Sequence, residues 1–130
     1  MRTFVIFAFI LSLSFPAAVF AAENLPDGFI AISEDKMNWA DAKAWCEQQG
    51  GKLPLIDGSE SIGEIPQGTS IDGFGTKGAP WPDGLPIEFY WTGTEYSGHP
   101  RHSWLIVNSG GYISDNFVTQ GNGRSVVCVP

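Results

Sequence analysis

Residues 38–56 read Asn-Trp-Ala-Asp-Ala-Lys-Ala-Trp-Cys-Glu-Gln-Gln-Gly-Gly-Lys-Leu-Pro-Leu-Ile, and this stretch decides the fold. It predicts a helix, because Asn38 is a good N-cap whose side-chain oxygen can accept from the free amides of the first turn. The apolar residues of this helix share one face, namely Trp39, Ala42 and Cys46. Gly50 and Gly51 predict its end, since glycine takes the left-handed conformation at little cost. Pro54 disfavours helix at the residue before it, so the chain is expected to return in extended form.

The first 21 residues have the pattern of a secretory signal. A short basic start precedes an apolar run from Phe4 to Phe15, and small residues lead to a cleavage point expected after Ala21. The alternative is an uncleaved membrane anchor, but Pro16 interrupts the apolar run. The sequence therefore predicts a periplasmic or secreted protein without stable membrane insertion after cleavage, with one domain over residues 22–130.

The charge of the chain argues against nucleic acid as a partner. There are 14 acidic residues against 7 Lys and Arg, for a net charge of −7. Removing residues 1–21 takes away Arg2 and no acidic residue, so the mature charge becomes −8. Nucleic-acid binders present a basic stripe to the phosphates, and none is visible here.

Two cysteines, Cys46 and Cys128, are present. In an exported protein the default is that two cysteines pair. The competing interpretation is a redox or metal pair, which the absence of a C-x-x-C spacing disfavours.

The rest of the chain predicts an α+β fold, in which one main helix packs on a small twisted antiparallel sheet. Residues 57–88 are rich in Gly and Pro and predict a long irregular loop. Such a loop in a compact domain is often functional. The predicted strands cover residues 28–32, 89–93, 103–107, 112–114 and 124–129.

Several motifs in this order resemble a known family. They are Met37–Ala42, Trp45–Cys46, Leu53–Pro54, Tyr90–Glu95, Ser103–Trp104 and Val127–Val129. Together they resemble the C-terminal domain family of the Legionella collagen-like adhesin, within the C-type-lectin-like superfold. The resemblance implies that the termini lie close together and that the first helix is bridged to the last strand, as Cys46–Cys128. It also implies that the irregular segment 57–88 carries binding.

The binding residues are expected in and near this loop. Trp81 lies between two prolines that stiffen the backbone, so its ring is either presented to a ligand or folded down onto the core. Preorganised aromatic side chains are common binding anchors. Phe74 and Tyr96 are further aromatic candidates, and the acidic candidates are Asp72, Asp83 and Asp115. The expected partner is a protein or a neutral glycan, as for an adhesin-like module.

Catalytic and metal chemistry is not expected. No serine lies in a nucleophile elbow, and no nucleophile and base can be paired. Glu95, His99 and His102 cluster in a predicted turn, and the two histidines suggest a pair of zinc ligands. Pro100 breaks any helix that would align them, and no well-placed third ligand is evident. Carboxylates such as Asp72, Asp83 and Asp115 could gather around calcium, yet the motifs of calcium-dependent lectins are missing from the chain. We therefore expect no cofactor, no metal and no enzymatic activity.

One glycine-rich motif suggests a nucleotide site. Gly73–Gly78 fits G-x-G-x-x-G, but no helix follows it, which favours a flexible loop over a nucleotide site. One alternative function is an inhibitory or structural periplasmic partner that uses its sheet face. Another is a metal-dependent enzyme. Trp39, Trp91 and Trp104 lie on predicted regular elements and are expected in the core.

Overall fold

The computed structural model describes residues 25–58 and 63–130. The predicted signal segment, residues 1–21, lies outside this part. The elements are β1 (Ala31–Ile32), α1 (Trp39–Gln48), β2 (Ser70–Ile71), β3 (Gly75–Thr76), β4 (Tyr90–Glu95), β5 (His102–Ser109), β6 (Tyr112–Thr119) and β7 (Val127–Cys128). Within the described residues, we find no helix with the length and apolar character needed to cross a membrane. The α+β class is confirmed.

Helix α1 forms where the sequence predicts it. The Asn38 side chain accepts a 2.8 Å hydrogen bond from the Asp41 amide, which satisfies a donor of the first turn. Gly50 has a φ of 88°, a conformation that favours glycine and ends the helix. The predicted apolar face is buried, with Trp39, Ala42 and Cys46 all turned inward.

The disulfide between Cys46 and Cys128 is present and both residues are fully buried. It joins α1 to β7, which in turn pairs antiparallel with β1 through Ala31 and Cys128. The early and late parts of the described chain are therefore held together by one covalent bond and one short ladder.

The main sheet is an antiparallel meander in the order β4-β5-β6, as predicted. Strand β6 starts at Tyr112, as predicted, and runs to Thr119, because its backbone pairs with β5 through the polar residues as well. The predicted strand 124–129 is shorter. Its residues bond in turn to separate segments, as in the bridges Met37–Arg124 and Lys52–Val129, so only Val127 and Cys128 form a ladder.

The sheet has a core on each face. Successive strand residues point to opposite sides, so Tyr90 contributes to one core and Trp91 to the other. Helix α1 and the disulfide cover the Trp91 side. The segment 63–88 covers the Tyr90 side and adds four buried residues, Ile65, Ile71, Phe74 and Leu85.

The described residues 63–88 of the predicted loop are thus more ordered than expected. They contain the β2–β3 hairpin, in which Ser70 pairs with Thr76 and Ile71 with Gly75. Gly73 has a φ of 77°, and a Cβ there would lie 2.7 Å from the Phe29 ring. The first glycine of the G-x-G-x-x-G match therefore serves a tight turn packed against Phe29, and no helix of the described chain follows the motif.

Candidate functional site

Trp81 folds onto the core, which is the second of its two predicted alternatives. Its indole Nε1 donates a 2.8 Å hydrogen bond to the Leu85 carbonyl. Its ring lies 5.7 Å from the Phe74 ring and 6.1 Å from the Tyr90 ring, between centroids. Phe74 is only 5% exposed, so it has almost no surface for a ligand in this conformation. Both rings hold residues 63–88, which we call the covering segment, on the sheet.

The three predicted carboxylates lie in different surroundings. Asp72 accepts from the Leu55 amide at 3.1 Å and lies 3.6 Å from Lys52 Nζ. Asp115 is 2.6 Å from Lys77 Nζ, which also donates to a backbone carbonyl of the covering segment. Asp83 is exposed. Asp115 on β6 therefore ties the loop to the main sheet, whereas Asp72 ties the loop to the segment that follows α1.

A metal site does not emerge from the described ranges. Residues 25–58 and 63–130 contain no group of three or more His, Cys, Asp or Glu side chains placed to hold a metal ion. The suggested set of Glu95, His99 and His102 is not such a group. The structure instead places both histidines in a stack of rings.

That ring stack surrounds Tyr96. The Tyr96 and Phe117 rings are stacked with centroids 4.1 Å apart, and Trp104 meets Tyr96 edge-on at 4.8 Å. His99 stacks on Phe117 at 5.7 Å and approaches His102 at 5.2 Å. Tyr96 is half-buried, so this cluster forms one wall of a surface depression.

We call that depression the hairpin groove. It lies between α1 and the β4–β5 connection and has a volume of about 640 Å³, within the usual range for small-ligand sites. Its lining includes Trp39, Lys43, Leu55, Tyr96, His99 and Arg101. The Lys43 ammonium lies 4.3 Å over the centroid of the Trp39 ring. Sequence reasoning found Tyr96 but missed Lys43 and Arg101, because nothing in the sequence brings the helix to this connection.

A second surface lies just before β4, and we call residues 86–89 the edge segment. Ile87 is 70% exposed and Phe89 is 47% exposed, although both are large and apolar. The backbone groups of Ile87 and Glu88 make no hydrogen bond to the backbone of the described residues. The segment is anchored at Phe89, whose carbonyl accepts from the Ser125 amide at 2.9 Å. It lies outside the helices and strands, and its main-chain groups at Ile87 and Glu88 have no backbone partner among the described residues.

A hollow of about 340 Å³ adjoins the edge segment. It is lined by Lys36, Ile87, Glu88, Phe89, Asn108 and Arg124. Arg124 Nη1 donates to the Gly123 carbonyl at 2.9 Å, but its buried Nε has no acceptor among the described residues. That nitrogen is closed off from solvent, so it is the two cations lining the hollow, Lys36 and Arg124, that favour an oxygen-bearing partner.

A sequence signal for the edge segment did exist. Ile87 and Glu88 directly precede the strand predicted to begin at Phe89. The alternation of apolar Ile87 and Phe89 with Glu88 is the pattern of a half-buried strand. It was missed because residues 57–88 were treated as one irregular loop. The exposed apolar residues of this region lie at its end and not at Trp81.

Tyr90 anchors the start of the edge segment through a side-chain hydrogen bond. Its phenol donates a 2.7 Å hydrogen bond to the Pro86 carbonyl. Burial, and secondarily the charge of Glu88, raise the pKa of the Tyr90 phenol far above its usual range. The neutral phenol is therefore required in the folded state.

We expect folding stability to fall as the pH rises above about 10, the ordinary pKa of tyrosine. A raised pKa in the folded state contributes stability that is present below that value and is lost as the pH rises through the folded pKa. Urea unfolding between pH 8 and 11 measures the effect. Tyr90→Phe should flatten the alkaline decline, whereas Tyr112→Phe, at an exposed position, should not. An unchanged decline in Tyr90→Phe would contradict the assignment.

No family model matches this chain, and searches of curated proteins and of solved structures found nothing significantly similar to it.

Proposed function

We propose that this chain is an exported, non-enzymatic binding module that recognises a partner protein through the edge segment, residues 86–89. The observation that carries the proposal is that Ile87 and Phe89 are exposed on a segment whose main-chain groups at Ile87 and Glu88 have no backbone partner among the described residues. Exposed sheet edges are ready templates for another chain, and natural proteins usually protect them.

Strand addition is the recognition mode that fits this segment. In that mode an extended peptide pairs with unpaired main-chain groups, which supply affinity, while alternate side chains supply specificity. Ile87 and Phe89 are two residues apart and therefore point to the same side of an extended chain. They would act as paired apolar anchors, which typically carry most of the binding energy of an interface.

The adjoining hollow narrows the chemistry of the partner. Two cations, Lys36 and Arg124, line it together with the apolar side chains of Ile87 and Phe89. A partner segment with apolar residues and one acidic side chain would match both features. A protein is favoured over a neutral glycan, because an aliphatic anchor and unpaired amides suit a peptide better than a sugar face.

Export and the finer fold belong to the same proposal. A disulfide that links α1 to the last strand, together with β1–β7 pairing, supports a C-type-lectin-like arrangement in the family named above. Disulfides persist mainly in oxidising compartments, which supports a periplasmic or secreted location. The segment 63–88, packed on the sheet, would present the edge segment at its end.

Replacing Ile87 and Phe89 together by Lys is expected to weaken peptide binding at least 30-fold. Loss of hot-spot anchors costs about 2 kcal/mol or more, which corresponds to that factor. Peptides would be selected on the protein from a displayed random library, and their affinity would be measured by titration calorimetry. We expect selected sequences to alternate apolar and acidic residues.

The matched control is Tyr112→Lys, which changes a residue that is 54% exposed and does not line the hollow. It should leave peptide affinity unchanged. Unfolding curves of both variants should match the parent within about 0.5 kcal/mol, as for most surface changes. The proposal fails if no peptide is selected, or if the double variant binds the selected peptides as tightly as the parent.

A further inference from the structure

We propose that the hairpin groove is a second binding site, which takes a small organic monocarboxylate between Lys43 on α1 and Arg101 on the β4–β5 connection. This site lies on a different surface from the edge segment and does not depend on the function proposed for it. The groove combines two cations with apolar walls, and a carboxylate with a carbon body matches both.

The two cations have no acidic partner in the described part of the chain. Its ion pairs use Lys52 with Asp72 and Lys77 with Asp115. No hydrogen bond from the Arg101 guanidinium to a described residue is seen, and the Lys43 ammonium lies over the face of Trp39. Arg presents a planar fork of donors that suits a carboxylate. Lys36 and Arg124 also lack ion pairs within the described ranges, but Lys43 and Arg101 line one groove together with apolar walls.

The backbone at Arg101 is a second, independent observation. Its φ of 59° is the only positive value at a non-glycine position among the described residues. Its carbonyl accepts a 2.8 Å hydrogen bond from the Gln120 amide, which helps to hold this conformation. Left-handed conformations at such residues persist only where the surroundings impose them, and they concentrate at functional sites. Arg101 lines the hairpin groove in this conformation.

The charge of the groove points to a single carboxylate. The lining contains two cations, Lys43 and Arg101, and one carboxylate, Glu95, so its net charge is +1 when both imidazoles are neutral. The Glu95 carboxylate accepts a 3.3 Å hydrogen bond from the side-chain amide of Gln120. A monoanion balances this net charge, whereas a dianion would exceed it. Trp39, Leu55 and Tyr96 supply the apolar surface for the body of the ligand.

The test uses 3-phenylpropionate as the probe and 3-phenylpropionamide as its neutral match. Both are titrated into the ¹⁵N-labelled protein, and NMR follows the Arg101 side-chain Nε–H and the amides around Tyr96. We expect saturable shifts with the acid and none with the amide. Arg101→Gln and Lys43→Gln should each weaken binding at least tenfold, while Lys36→Gln, a lysine outside the groove, should have no effect.

Two further variants keep the test decisive. Arg101→Gly suits the positive φ, so it should raise the melting temperature while weakening binding as much as Arg101→Gln. The Ile87 and Phe89 double variant should bind the probe unchanged, which separates this site from the edge segment. Equal binding of the amide, an unaltered affinity in Arg101→Gln, or shifts that never saturate would each overturn the proposal.

Discussion

Replacing both Cys46 and Cys128 by Ala is expected to lower the free energy of unfolding by about 4–5 kcal/mol. The two residues are 82 positions apart, so the bond closes most of the described chain into one loop. In the chain-entropy model, cross-linking such a loop removes conformational freedom from the unfolded state and so favours folding. The bond also joins the helix to β7, and through β7 to β1.

Urea unfolding of the parent and the double variant, each with and without dithiothreitol, measures this effect. Reductant should destabilise the parent and leave the double variant unchanged, which separates loss of the bond from repacking at the two positions. Because typical domains are stable by only 5–15 kcal/mol, we expect the double variant to be partly unfolded at 37 °C. A loss below about 1 kcal/mol would show that the ladders alone hold the ends together.

The Trp91→Ala substitution is expected to lower the free energy of unfolding by about 3–5 kcal/mol, as for large aromatic residues in cores. Trp91 is fully buried in the core between α1 and the sheet. Its Nε1 donates a 2.7 Å hydrogen bond to the Met37 carbonyl, just before the helix begins. Truncation would therefore open a cavity and also remove a link between β4 and the start of α1.

Trp91→Phe divides this effect into its two causes. It keeps an aromatic ring in the core but removes the N–H donor, while the Met37 carbonyl still accepts a 3.0 Å hydrogen bond from the Arg124 backbone amide. We expect the lost hydrogen bond to cost about 0.5–1.5 kcal/mol, the usual net contribution of one such bond. Tyr112→Ala, at an exposed position, should change stability by no more than about 0.5 kcal/mol. A loss for Trp91→Ala no larger than that of Trp91→Phe would contradict a packing role for the indole.

Local signals predicted the helix and the meander. The cap at Asn38, the apolar face of α1 and the glycine at position 50 act within a few residues, so they can be read without knowing the fold. The disulfide could be predicted because only two cysteines are present. The three tryptophans expected in the core are all buried, as their positions on predicted regular elements indicate: Trp39, Trp91 and Trp104.

The covering segment could not be predicted in the same way. Its glycines and prolines indicate turns, but they do not show that Ile71 and Phe74 reach the sheet from 14 or more positions away from β4. Trp81 illustrates the gap, because its flanking prolines suit both a presented ring and a packed one. The ring contacts of Trp81 with Phe74 and Tyr90 show that the packed alternative is the one the fold adopts.

The sequence by itself determined the α+β class, the helix bounds, the antiparallel meander and the pairing of the cysteines. These follow from propensity, period and capping, which are properties of neighbouring residues. Only the tertiary structure decided which aromatic rings are covered, and that Ile87 and Phe89 remain exposed on an unpaired edge. It also brought Lys43 and Arg101 to one groove. Such surfaces arise where segments far apart in the chain meet, and their positions depend on packing that no local pattern encodes.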